Sequence, residues 1–156
     1  MKRFLEKIFF GEPDKNKRLE QLELLASLVE NSSDAIFSRG VDRIITTWNR
    51  GAENMFGYRT EEVIGKSILT LGLFDLTDKN MVIVEEQLRK NGKYTSERIA
   101  HKKNGDLFFA SVTLNTVNNT SGEIVAFVVG VKDVSHSKEL ERKLSKYNEE
   151  LERMVK

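Results

Sequence analysis

The chain has 156 residues, 39% hydrophobic and 31% charged, which is enough for one domain with a buried core and short for two. Lys and Arg total 25 against 24 Asp and Glu, and the net charge of +1 gives no electrostatic case for nucleic acid. The absence of cysteine excludes disulfides, thiolate metal sites and thiol catalysis, and no apolar run reaches the roughly 20 residues of a membrane helix.

Residues 1–10 place Phe4, Leu5, Ile8 and Phe9 on one helical face, with Lys2, Arg3, Glu6 and Lys7 opposite. There is no small-residue cleavage site, so this is not a signal peptide. Contact with a membrane surface is one reading of such a basic amphipathic segment; packing against a partner subunit is the plainer one. Residues 11–17, with the only proline at Pro13, form a linker, so 1–17 is one unit. Leu19, Leu22, Leu25, Ala26 and Val29 then recur at helical spacing, and Asn31-Ser32-Ser33 ends that flanking helix, giving a unit over 18–33.

The central unit is 34–135. Residues 34–38 and 43–48 are β-rich, with Gly40 and Asp42 suited to the turn between them. Asn49 is an N-cap for a short helix stopped by Gly57. Thr60 caps the next, with Glu61 and Glu62 in its positive first turn, and Gly65 closes it. A loop over 67–76 leads to a longer helix from Thr77 or Asp78 to Lys90, ended by Asn91-Gly92. Three strands follow, near 94–102, 107–117 and 123–134, joined by turns at Asn104-Gly105 and 118–122. The last strand contains IVAFVVGV and reads as buried on both faces, hence central, with the 18–30 helix on the face opposite the others. In the final unit, 136–156, Leu140, Leu144, Tyr147, Leu151 and Met154 step by 4, 3, 4 and 3, an a/d seam for a partner helix. No C-cap closes that helix, which reads as a chain continuing into a longer protein.

The element order, with DAIF at 34–37, IITTWNRGAENMFGY at 44–58 and EEVIG at 61–65, resembles PAS domains. KKNGD at 102–106 resembles that family's hairpin between its third and fourth strands, and Gly122 with Asp133-Val134-Ser135 its last strand and exit motif. The likeness covers about residues 20–137. It implies an α+β fold: a five-stranded antiparallel sheet in the order 2-1-5-4-3, helices on one face, and flanking N- and C-terminal helices. Two positions depart from the pattern. Arg43 stands where members often have glycine, with Gly40 three residues earlier redrawing the turn, and Phe109 stands where many have proline.

The resemblance also implies a cavity between helices and sheet. Its candidate wall is Phe37, Ile45, Phe56, Ile68, Leu71, Phe74, Ile83, Ile99, Phe108, Val112, Leu114 and Val129. The plainer alternative is that these residues simply pack against each other. Covalent flavin and cinnamic-acid chromophores need a cysteine and are excluded. Haem-binding members typically use a histidine on the long helix; residues 78–90 have none, and His101 and His136 read as strand-end and linker residues. Non-covalent flavin or a small metabolite stays open. Trp48 reads as an anchor of the strand-to-helix turn. No nucleophile motif, metal-ligand cluster or phosphate loop supports an enzyme.

These readings converge on a non-catalytic, cytoplasmic sensor and dimerisation module. Asp133, Val134 and Ser135 pass a shift in the last strand to the 136–156 helix and on to a downstream domain, a histidine kinase first. A ligand-free interaction scaffold and a small standalone enzyme are the alternatives.

Overall fold

The computed structural model describes residues 14–155, so the amphipathic stretch 1–10 lies outside the described residues. Helix α1 (Lys15–Glu30) begins at Asp14, whose carboxylate accepts from the Asn16 amide, and ends at Asn31. Strand β1 (Ala35–Gly40) turns back into β2 (Ile45–Trp48). Three short helices follow: α2 (Arg50–Phe56), α3 (Thr60–Val63) and α4 (Ile68–Leu71). The fourth turn of chain, α4, was expected as loop; the Ser67 hydroxyl caps it, accepting from the Leu69 amide. Helix α5 (Asp78–Asn91) starts at the second of the two expected positions, with Thr77 as its cap, and gives way to Gly92 at φ 74°, where a side chain would be strained. Strands β3 (Lys93–His101), β4 (Leu107–Asn118) and β5 (Ile124–Asp133) then run directly into α6 (Ser135–Val155).

All strand pairs are antiparallel and the sheet order is β2-β1-β5-β4-β3, as the resemblance implied. Period-two alternation divides the faces. Ala35, Phe37 and Arg39, then Phe108, Ala110, Val112 and Leu114, then Phe127, Val129 and Val131, all turn inward. They meet Ala52, Phe56, Val63, Leu73, Met81, Val84 and Leu88 in one buried cluster.

Two expectations are corrected. β5 is central, but its second face, carrying Ala126, Val128 and Gly130, is only partly buried, so among the described residues nothing fully covers it. Helix α1 buries no residue and exposes Leu19, Leu22, Leu25 and Leu28, so it does not cover that face.

Candidate functional site

Asn49 fixes the corner where the flanking helix meets the sheet. Its Oδ1 accepts from the Ile36 and Ala52 amides (2.8 and 2.9 Å), and its Nδ2 donates to the Val29 and Asp34 carbonyls (2.7 and 3.1 Å). All four hydrogen-bonding positions of the amide are used. The cap expected for α2 therefore also ties α1, β1 and α2 together. Next to it, the Trp48 indole donates to the Tyr58 carbonyl and stacks between Phe37 (4.9 Å) and Phe56 (5.6 Å), anchoring the turn into α2.

Of the expected cavity wall, Phe37, Ile45, Phe56, Ile68, Phe74, Phe108, Val112, Leu114 and Val129 are buried in the core, and Leu71 packs partly against it. Two residues are misplaced. Ile83 is 49% exposed, because the buried stripe of α5 runs Met81, Val84, Leu88 and Ile83 falls beside it. Ile99 is 36% exposed, because it pairs with Phe109 in the register that points to the opposite face of the sheet from Ala100 and Phe108.

The space enclosed is small, a cavity of about 20 Å³ with Ile68, Phe74, Val112, Leu114 and Val129 in its wall. That admits about one or two waters. Ligand pockets for drug-sized molecules run to about 300 Å³ or more, and the cavity is far below that range. The rest of the wall was not foreseen: Arg39, Leu76, Met81, Val84, Tyr94 and Arg98. Inward alternation from Ala35 and Phe37 was the available sign for Arg39.

Arg39 is fully buried on β1. Its Nη2 meets the Glu85 carboxylate on α5 at 3.2 Å, its Nη1 donates to the Gly40 carbonyl, and its guanidinium lies 4.4 Å from the centre of the Phe127 ring. Burial pulls its pKa below the usual arginine range, and Glu85 works against that pull. Arg43 joins the same carboxylate through Nε at 3.2 Å and reaches Asp78 through Nη1 at 2.6 Å. The Glu85 hydrogen bond is the main force holding Arg43 above its usual range.

Arg43 has φ 69°, the one positive φ outside glycine among the described residues. Its amide donates to the Gly40 carbonyl and the Gly40 amide to the Ile44 carbonyl. The left-handed position therefore stays at residue 43, and Gly40 does not redraw the turn. An arginine takes the glycine's place because its side chain bridges the hairpin to α5.

At the exit, the Val134 amide donates to the Phe109 carbonyl (2.9 Å), the Phe109 amide donates to the Ser135 hydroxyl (3.0 Å), and the Ser135 amide donates to Asp133 Oδ1 (3.0 Å). Lys138 in the first turns of α6 meets Glu97 of β3 at 2.6 Å, and that bond holds the Lys138 pKa above its usual range. The three exit residues thus form the junction of β4, β5 and α6. A groove of about 780 Å³ opens beside it, between Ile99, Leu107 and Phe109 of the outer face and Lys138 and Arg142 of α6. Farther along α6, Leu140, Leu144, Tyr147, Leu151 and Met154 are all exposed, Leu144 by 64%.

Among the described residues no three His, Asp or Glu cluster to hold a metal ion, and no helix is long and apolar enough to cross a membrane. A single antiparallel sheet wrapped on one face by short helices, with its central strand issuing into a long helix, defines a one-sheet α+β domain. The comparisons agree: the PAS domain family profile matches residues 33–136. Two-component system protein A of Emericella nidulans is 32% identical over 129 residues, covering 81% of this chain and 19% of that protein. The signal transduction histidine-protein kinase AtoS of Escherichia coli is 25% identical over 118 residues, 76% of this chain and again 19% of the relative. A solved PAS domain from Colwellia psychrerythraea superimposes with a TM-score of 0.65 at 20% identity, over 74% of this chain and 98% of that one. The chain belongs to the PAS domain family, sensory domains found in histidine kinases and other signalling proteins. It spans a fifth or less of the length of the curated relatives it matches.

Proposed function

We propose that this domain is a non-catalytic, cytoplasmic sensor and dimerisation module that relays a change in its core or interface through α6 to an output domain such as a histidine kinase. The observation that carries the reading is the exit junction. Phe109 bonds to Val134 and Ser135 on either side of the point where β5 becomes α6, so a shift of the sheet moves the root of the helix. The apolar seam of α6 gives that movement a destination, because two such helices packed together have a few competing registers. The leucines of α1 and the uncovered outer face of the sheet add two further surfaces that a second copy would bury.

The test is the oligomeric state of the purified chain by sedimentation equilibrium. The expected result is a dimer of twice 17.9 kDa that Leu144→Asp with Leu151→Asp converts to monomer. A dimer untouched by both substitutions would remove α6 as the relay. A ligand-free interaction scaffold is the second reading, and the nearly filled core favours it.

A further inference from the structure

The core holds one polar feature that packing alone does not account for. Arg39 is fully buried, yet its Nε has no hydrogen-bond partner in the structure. An unmade hydrogen bond from a buried donor costs about 1–3 kcal/mol, and native folds rarely leave such a group empty-handed. Arg39 belongs to the wall of the 20 Å³ cavity, and so does Arg98 of β3. Arg98 donates to the Ser96 hydroxyl at 3.2 Å and the Tyr94 hydroxyl at 3.3 Å, and among the described residues it has no carboxylate partner.

The carboxylates beside Arg39 and Arg43 are already engaged, Glu85 by both and Asp78 by Arg43. Arg98 has only hydroxyl partners, and an anion would pair with it. The charged polar groups of the wall are guanidinium donors, and the Tyr94 hydroxyl can donate as well. Water needs two to four polar partners and brings no charge to meet a guanidinium. An acceptor-only group matches better. Guanidinium pairs with a planar carboxylate in particular. The remaining wall, with Met81, Val84 and Leu114, is apolar and suits a short hydrocarbon body. Size sets the upper bound: the space takes a carboxylate and little more unless Met81 and the half-buried Leu76 shift.

We propose that this cavity binds a carboxylate of one to three carbons, with Arg39 Nε and the Arg98 guanidinium as its donors. The proposal rests on reading the domain as a sensor and names the class of molecule sensed.

The experiment uses the purified chain and follows thermal unfolding and titration calorimetry with sodium formate, acetate, propionate and butyrate. Ionic strength is held constant with sodium chloride, and acetamide serves as the uncharged control. Expected is a rise in Tm with formate, acetate or propionate, a smaller one with butyrate, and none with acetamide. Arg98→Gln, a change at the rim, weakens the apparent Kd at least tenfold, and Arg98→Lys weakens it less. Stabilisation no greater than chloride's, equal stabilisation by acetamide, or binding indifferent to both Arg98 variants would overturn the assignment. The dimer measurement on Leu144→Asp stands apart from all of these: if it succeeds while the carboxylates fail, the relay survives and only the ligand class is lost.

Discussion

Phe109 on β4 and Ser135 at the start of α6 are joined by a hydrogen bond of 3.0 Å, from the amide of one to the hydroxyl of the other. In an antiparallel strand the amide and carbonyl of one residue point the same way, and the Phe109 carbonyl takes the Val134 amide. Phe109 therefore gives both backbone groups to the exit and none to β3. A proline is tolerable there for the same reason, since no ladder bond is lost, but it cannot make the bond to Ser135. Ser135→Ala and Phe109→Pro should each fold and each lose about 0.5–1.5 kcal/mol. Hydrogen exchange should rise over the first two turns of α6 and stay unchanged in the centre of β4. Unchanged exchange in α6 would mean that the bond does not hold the helix root.

Arg43 separates backbone strain from side-chain pairing. A non-glycine residue in the left-handed region costs about 1–2 kcal/mol, and here the bonds to Glu85 and Asp78 offset it. Arg43→Ala loses the bonds and keeps the strain. Arg43→Gly loses the bonds and relieves it. Urea unfolding should place Gly above Ala by about 1 kcal/mol. Equal stabilities would show that the hairpin relaxes when the side chain is gone.

The Arg39–Glu85 pair should behave as a buried ion pair. Removing one partner leaves a charge stranded in the core and costs about 3 kcal/mol or more, whereas replacing both with apolar groups costs little. Glu85→Leu should thus be severely destabilising, and Arg39→Met in the same chain should restore much of the loss. A double-mutant cycle measures this directly. Additive losses would mean that Arg43 and Gly40 already satisfy the two ends.

Features set by neighbouring residues were legible in the sequence, and features set across the fold were not. Asn49 before a helix and Asn104-Gly105 between strands are local chemistry, and both sit where they were expected. The central place of β5 followed from its apolar run. The alternation of β1 placed Arg39 inward, but nothing local showed what would pair with it there, because its carboxylate partner lies 46 residues away. The leucines of α1 read as a face for its own sheet, yet nothing among the described residues buries them. Ile83 and Ile99 were misread by a single position of helical or strand register. Gly51 carried no sign at all, although a Cβ there would stand 2.1 Å from the Asp34 carbonyl oxygen, where α2 rests on the turn before β1.

The last prediction concerns pH. Glu62 in α3 accepts a hydrogen bond from Lys103 in the β3–β4 hairpin and another from the Arg59 amide at 2.8 Å. These two, the lysine first, hold its pKa below the usual carboxylate range. A carboxyl whose pKa falls on folding stabilises the fold fully above its unfolded pKa, about 4.3. That stabilisation fades as pH drops through the lower, folded pKa. Wild type should therefore be more stable than Glu62→Gln at pH 7, and urea unfolding at pH 3 should find the gap narrowed. Lys103→Ala should shrink the pH 7 gap without closing it, because the Arg59 amide still bonds the carboxylate. Added salt should act in the same direction, since the Lys103 ion pair is exposed and screened. A gap of constant size from pH 7 to pH 3 would mean that Glu62 holds the hairpin through packing rather than through its charge.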